Sequence, residues 1–146
     1  MNGIASHAVT AGIASLITVV VLAPDSLWTQ AHAQGQPTGV KQTEVFKITM
    51  NDVLGRVLSV RVLERDAGTG SPAHRHPGSH TVGYVLEGTY EVKIDDGPVR
   101  KLGPGEAFYE APNALHAVSR NGSKSAPVKY LVIQVSDPTK PATVAE

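Results

Sequence analysis

The sequence predicts an all-β domain built as a sandwich or barrel, and three observations carry that expectation. Apolar side chains recur with a period of two from Glu44 onward, Gly or Pro breaks nearly every window of about a dozen residues, and no segment after residue 34 sustains a period of 3.6. Alternation along an extended chain sends neighbouring side chains to opposite faces, so each such run offers one face to a core.

Taken in order, the first 33 residues differ from the rest. Residues 1–24 hold no Asp, Glu, Lys or Arg, residues 9–23 are apolar or small, and Pro24-Asp25-Ser26 then breaks the run. Ala31-His32-Ala33 has the small-x-small form that a signal peptidase reads, so residues 1–33 are expected to be an export signal cleaved before Gln34. The mature chain would then be periplasmic or secreted and free of the membrane. An uncleaved anchor is the alternative, although the apolar stretch falls short of the ~20 residues a spanning helix needs. Cleavage leaves 146 − 33 = 113 residues and removes Asp25, so the formal charge moves from zero to +1.

Residues 34–43, polar and interrupted by Gly and Pro, read as a flexible linker, with the folded domain expected over residues 44–140. Phe46/Ile48/Met50, Leu58/Val60/Val62, Tyr90/Val92/Ile94 and Leu131/Ile133/Val135 are each expected to turn one strand face inward. Asp95-Asp96-Gly97-Pro98 is expected to close a hairpin, with Gly97 supplying a positive φ. Gly103-Pro104-Gly105 and Asn121-Gly122-Ser123 mark further reversals.

Composition excludes several functions. Lys+Arg and Asp+Glu both number 13, so the chain lacks the basic footprint that nucleic-acid binding requires. The absence of Cys excludes disulfides, thiolate metal sites, iron–sulfur clusters and a cysteine nucleophile. No Gly-x-Ser-x-Gly, Gly-x-Gly-x-x-Gly or phosphate-binding loop is present. Chemistry is left to His, carboxylates, hydroxyls and backbone.

The mature chain has four histidines, and His74, His76 and His80 fall within seven residues. His74 and His76, two apart on an extended strand, point to one face and can converge on one ion. His116 lies 40 residues beyond His76 on a further expected strand. Neutral imidazoles with open positions suit a divalent Fe, Mn, Co, Ni, Cu or Zn. Tyr84, Phe108 and Tyr109 are candidates for the core or for a cavity lining, Arg75 is expected to face away from its flanking histidines, and Glu106 and Glu110 are candidate acids or bases of undecided direction.

The run from Gly68 through His74-Arg75-His76-Pro77-Gly78-Ser79-His80 to Tyr84-Val85-Leu86-Glu87-Gly88 resembles the first motif of the cupins. The segment from Gly105 through Glu110-Ala111-Pro112-Asn113-Ala114-Leu115-His116 to Asn121 resembles the second. The resemblance implies a double-stranded β-helix, the cupin jelly-roll barrel, with His74, His76 and His116 in the places of the three family His ligands to one divalent metal. The usual Glu ligand has no counterpart: its place is Thr81 on one spacing and His80 on the other. His80 is therefore either a fourth ligand or an imidazole that orients a bound molecule. In the second motif the family Pro and Gly become Ala111 and Asn113, and Asn is the non-glycine residue best able to keep a left-handed turn. Arg120 and Asn121 straddle the closing Asn position.

The resemblance implies an exported metal-binding protein that handles a small molecule. It is either a dioxygenase-like or other metal-dependent enzyme, or a non-enzymatic module that captures a metal or metabolite. A site without the family Glu would keep the full charge of its metal and favour anionic chelates. Cupins often pair through edge strands, and residues 44–50 are the candidate for a homodimer contact.

Overall fold

The computed structural model describes residues 39–146, so the expected export signal and the start of the linker lie outside the described residues. Eleven strands and no helix occur among the described residues. One sheet runs β1 (Val40–Thr49), β2 (Val57–Arg65), β10 (Val128–Ser136), β5 (Ser79–Glu87), β8 (Ala107–Glu110). The other runs β11 (Val144–Ala145), β4 (His74–Arg75), β9 (Leu115–Asn121), β6 (Tyr90–Ile94), β7 (Arg100–Leu102), with β3 (Gly70–Ser71) also paired to β9. All pairings are antiparallel.

The core lies between the sheets. Val85, Phe108, Val128, Tyr130 and Val132 come from the first, and Tyr90, Val92 and Leu102 from the second. Tyr90 stacks on Phe108 at 5.4 Å between ring centroids and packs against Tyr130 at 4.6 Å. Gly83 makes the first stack possible, because a Cβ there would lie 2.1 Å from Cε1 of Phe108.

The period of two is present where expected, but three of the four apolar runs face outward. Tyr90 and Val92 are buried as expected. In β10 the buried residues are Val128, Tyr130, Val132 and Gln134, leaving Leu131, Ile133 and Val135 on the outer face. In β2 the buried parity is that of Ser59 and Arg65, opposite to Leu58, Val60 and Val62. Phe46 and Ile48 are each 48% exposed. Register joins these residues across strands, Ile48 to Leu58 to Val135 and Phe46 to Val60 to Ile133, into one apolar outer face. A sheet apolar on both sides cannot have its inner face identified by hydrophobicity alone.

The domain also extends past both expected boundaries. β1 begins at Val40, inside the expected linker, because Val40 to Thr43 pair with β2 from Arg65 to Val62. Past residue 140, Val144 and Ala145 pair with Arg75 and His74. At the β6–β7 hairpin the positive φ belongs to Asp95 (47°) and not to Gly97. Asp tolerates that conformation, and here its carboxylate also accepts the Leu115 N–H at 2.8 Å. Asn113 has φ 65°, so it keeps the left-handed turn ahead of β9 as expected. Asn121 fills the closing position: it is buried, and its amide donates to the carbonyls of Arg65, Asp66 and Ala126.

Candidate metal centre

His74 and His116 are direct cross-strand partners on β4 and β9. His76 leaves β4 at the turn into β5, where its carbonyl accepts the N–H groups of Ser79 and Asn113. The three expected ligands meet: one ring nitrogen from each of His74, His76 and His116 lies within 4.8 Å of the other two. The His74 ring centroid is 5.0 Å from that of His76 and 4.9 Å from that of His116.

Backbone contacts set two of the tautomers. Nδ1 of His74 lies 2.8 Å from the Pro72 carbonyl, and Nδ1 of His76 lies 2.6 Å from the Ala142 carbonyl. A carbonyl only accepts, so in the neutral form of each ring the proton is on Nδ1 and the lone pair on Nε2. Burial, reinforced by the neighbouring His116 and His76 rings, holds the His74 imidazole below its ordinary value despite the Pro72 contact. His74 is thus neutral near pH 7, the form a metal binds. His116 is 3% exposed, and both of its ring nitrogens are buried without a hydrogen-bond partner. Unpaired buried polar atoms are costly, and nitrogens converging with two prepared imidazoles fit a divalent cation.

His80 is not part of this cluster. Ser79 and Thr81 are buried in β5, so His80 points to the outer face, where Nδ1 contacts the Tyr109 hydroxyl at 2.7 Å. The turn at Pro77-Gly78 changes the facing between His76 and His80, so their matching parity does not carry across it. Of the two roles open to His80, the fourth-ligand one is therefore not met here, because the ring lies on the outer face away from the cluster. Tyr84 and Tyr109 are exposed with it, whereas Phe108 is buried 5.6 Å from the His116 ring. Arg75 faces away from the cluster, bound to Glu146 at 2.8 Å and to the Asn113 carbonyl at 2.9 Å. Glu106 accepts the Gly103 N–H in a turn.

The family Glu position is without a carboxylate, as expected, but a carboxylate from another strand lies beside the cluster. Glu110, the β8 partner of Thr81, is 2% exposed. Its Oε1 lies 3.1 Å from Nδ1 of His116 and its Oε2 lies 3.9 Å from Nε2 of His76. Alternation contains the signal for this placement: if Phe108 is core, Glu110 must face inward too. The inner row continues through Thr81, whose hydroxyl accepts from Gln134 at 3.0 Å, to Arg61, whose guanidinium donates to Gln134. Arg65, 2% exposed, donates to Ser71 at 2.8 Å and keeps Nε and Nη1 unpaired. Composition gave no hint of two arginines on the inner face.

Comparison with known proteins agrees with this architecture. No curated protein matches the chain in sequence. Among solved structures, the DMSP lyase DddQ from Ruegeria pomeroyi is similar at 28% identity and a TM-score of 0.53, over 60% of this chain and 42% of that one. The chain thus spans well under half of the lyase. A Klebsiella pneumoniae protein with a double-stranded β-helix domain matches at 18% identity and a TM-score of 0.58, over 77% of this chain and 90% of that one, a likeness of fold. An oxalate oxidase in complex with glycolate matches at 23% identity and a TM-score of 0.57, over 80% of this chain and 60% of that one, again a likeness of fold. The profile of the cupin domain matches residues 61–134, which hold all three clustered histidines. Two antiparallel sheets that bring three histidines together, with this match over half of the chain, show that the chain belongs to the cupin family.

Proposed function

We propose that this chain is an exported, metal-dependent cupin that acts on a small anionic molecule, with oxygen-dependent cleavage the first activity to test. The observation that carries the reading is the convergence of His74, His76 and His116, two with Nε2 left free and the third buried with no partner for either nitrogen. When bound there, a divalent ion supplies a Lewis acid with open positions for an oxygen-bearing chelate and, as iron or manganese, a site for dioxygen.

The chain's own residues do the rest. His74 and His76 are held in ligating tautomers by the Pro72 and Ala142 carbonyls. Arg61 and Arg65, with buried N–H groups lacking partners, give the inner face a positive character that favours a carboxylate or enolate. The sheets exclude water from the side of the site lined by Phe108 and Tyr90. The oxalate oxidase matched in fold holds glycolate, a small hydroxy acid of the kind this interior suits. Export rests on residues 1–33, and pairing of two copies through residues 44–50 and the apolar outer face is part of the same reading.

Elemental analysis of purified protein tests the centre, and oxygen uptake with β-diketones, flavonols and small hydroxy acids after Fe(II) loading tests the activity. One metal per chain with oxygen consumption on one of these classes is expected. Tight binding of such a compound without turnover would favour a capture module instead, and metal content unchanged in His74→Ala and His116→Ala would refute the centre.

A further inference from the structure

We propose that Glu110 is the anionic member of the metal site, supplying from β8 the negative charge that position Thr81 of β5 lacks. This rests on the metal-centre reading above.

Thr81 and Glu110 are direct cross-strand partners, and both side chains point inward at 2% exposure. A carboxylate at either of these positions therefore serves the same patch of the interior. Oxygens of Glu110 lie 3.1 Å from a nitrogen of His116 and 3.9 Å from the lone-pair nitrogen of His76. The contact with His116 is close, but the two atoms are not aligned as a hydrogen bond, since Nδ1 remains without a partner. Glu110 thus flanks the His116 and His76 side of the cluster, outside the set of three rings whose ligand atoms all lie within 4.8 Å of one another.

The only ionisable partners of this carboxylate among the described residues are the two imidazoles themselves, His116 and His76. No Lys or Arg forms an ion pair with Glu110 among the described residues, and its Oε2 is buried without any hydrogen bond. The nearby hydroxyl of Thr81 is occupied by Gln134. An isolated buried carboxylate is strongly disfavoured, and the counter-charge that this geometry offers is the cation held by the three imidazoles. A divalent ion with Glu110 beside it has one unit less net charge than on imidazoles alone. It remains attractive to a monoanionic chelate and binds a dianion less indiscriminately.

The test measures Zn(II) and Co(II) affinity of the full chain by competition with a chromophoric chelator at pH 7. Wild type is compared with His74→Ala, Glu110→Gln and the double variant Glu110→Thr/Thr81→Glu. Glu110→Gln keeps the shape and an acceptor oxygen while removing the charge, and it is expected to weaken binding by roughly 10- to 100-fold, the range typical of groups that support metal ligands. The double variant returns the carboxylate to the cross-strand position at nearly constant volume and is expected to recover to within about tenfold of wild type. If Glu110→Gln fails to fold, recovery in a folded double variant decides the matter. Unchanged or tighter binding in Glu110→Gln, beside loss in His74→Ala, would overturn this inference and leave the metal centre standing. Failure of wild type to bind either ion would overturn both.

Discussion

At the scale of single residues, the site depends on which side chains are held neutral and unpaired. The descent of the His74 value has a consequence that can be measured without any ligand. Burial lowers it in the folded state, so between that lowered value and the ordinary 6.5 the unfolded chain binds more protons than the native one. Stability therefore rises with pH across this window and falls on acidification. In chelator, the melting temperature of wild type is expected to drop relative to His74→Gln as pH is lowered through 6.5, since the variant has no proton to take up there. Parallel curves would contradict this. His74, His76 and His116 were legible in the sequence because two share a parity and the third sits in a recognisable motif. His80 was left between two roles because Pro77-Gly78 can change the facing between it and His76, and Glu110 was left undecided because alternation alone does not say which parity is inside.

At the scale of elements, the short β11 strand and the residues before it act as a strap on the site. Ala142 accepts the Nδ1 proton of His76, Thr143 Oγ1 lies 3.3 Å from the same nitrogen, and Arg75 clasps Glu146 with contacts of 2.8 and 3.1 Å. Removing residues 142–146 frees the His76 tautomer and is expected to cost roughly 10- to 100-fold in metal affinity, with the core still folded. Titration of the truncated chain with Zn(II) checks this, and an affinity equal to wild type would show that the strap leaves His76 unaffected. In the opposing sheet, Gly83→Ala would drive a Cβ into the Phe108 ring. Overpacking of this kind is expected to destabilise by about 1–3 kcal/mol, read as a lower urea midpoint. An unchanged midpoint would mean that the Phe108–Tyr90 stack relaxes freely. Strands and turns were readable from alternation and from Gly and Pro. The strap was not, because Val144 and Ala145 carry no periodic signal and pair only through backbone groups.

At the scale of the whole molecule, a five-stranded sheet with apolar residues on both sides presents Phe46, Ile48, Val82, Tyr84 and Tyr109 outward, each more than a third exposed. Faces of this kind mark contacts more often than bare surface. Two copies joined here are expected in light scattering at micromolar concentration, and Phe46→Lys with Ile48→Lys is expected to give monomers. Wild-type monomers at that concentration would contradict the pairing. All-β class and cupin architecture were both legible, since alternation needs only the residue order and the motifs span the site. The inward face of the first sheet was not, because its polar row of Ser59, Arg61, Thr81 and Gln134 reads as a solvent side until the His cluster beside it is known. The decisive measurement is an anomalous-scattering map of Zn(II)-loaded crystals. One peak bound by Nε2 of His74, Nε2 of His76 and a ring nitrogen of His116 is the expected result; a map with no peak among these rings, in crystals holding zinc elsewhere, would contradict it.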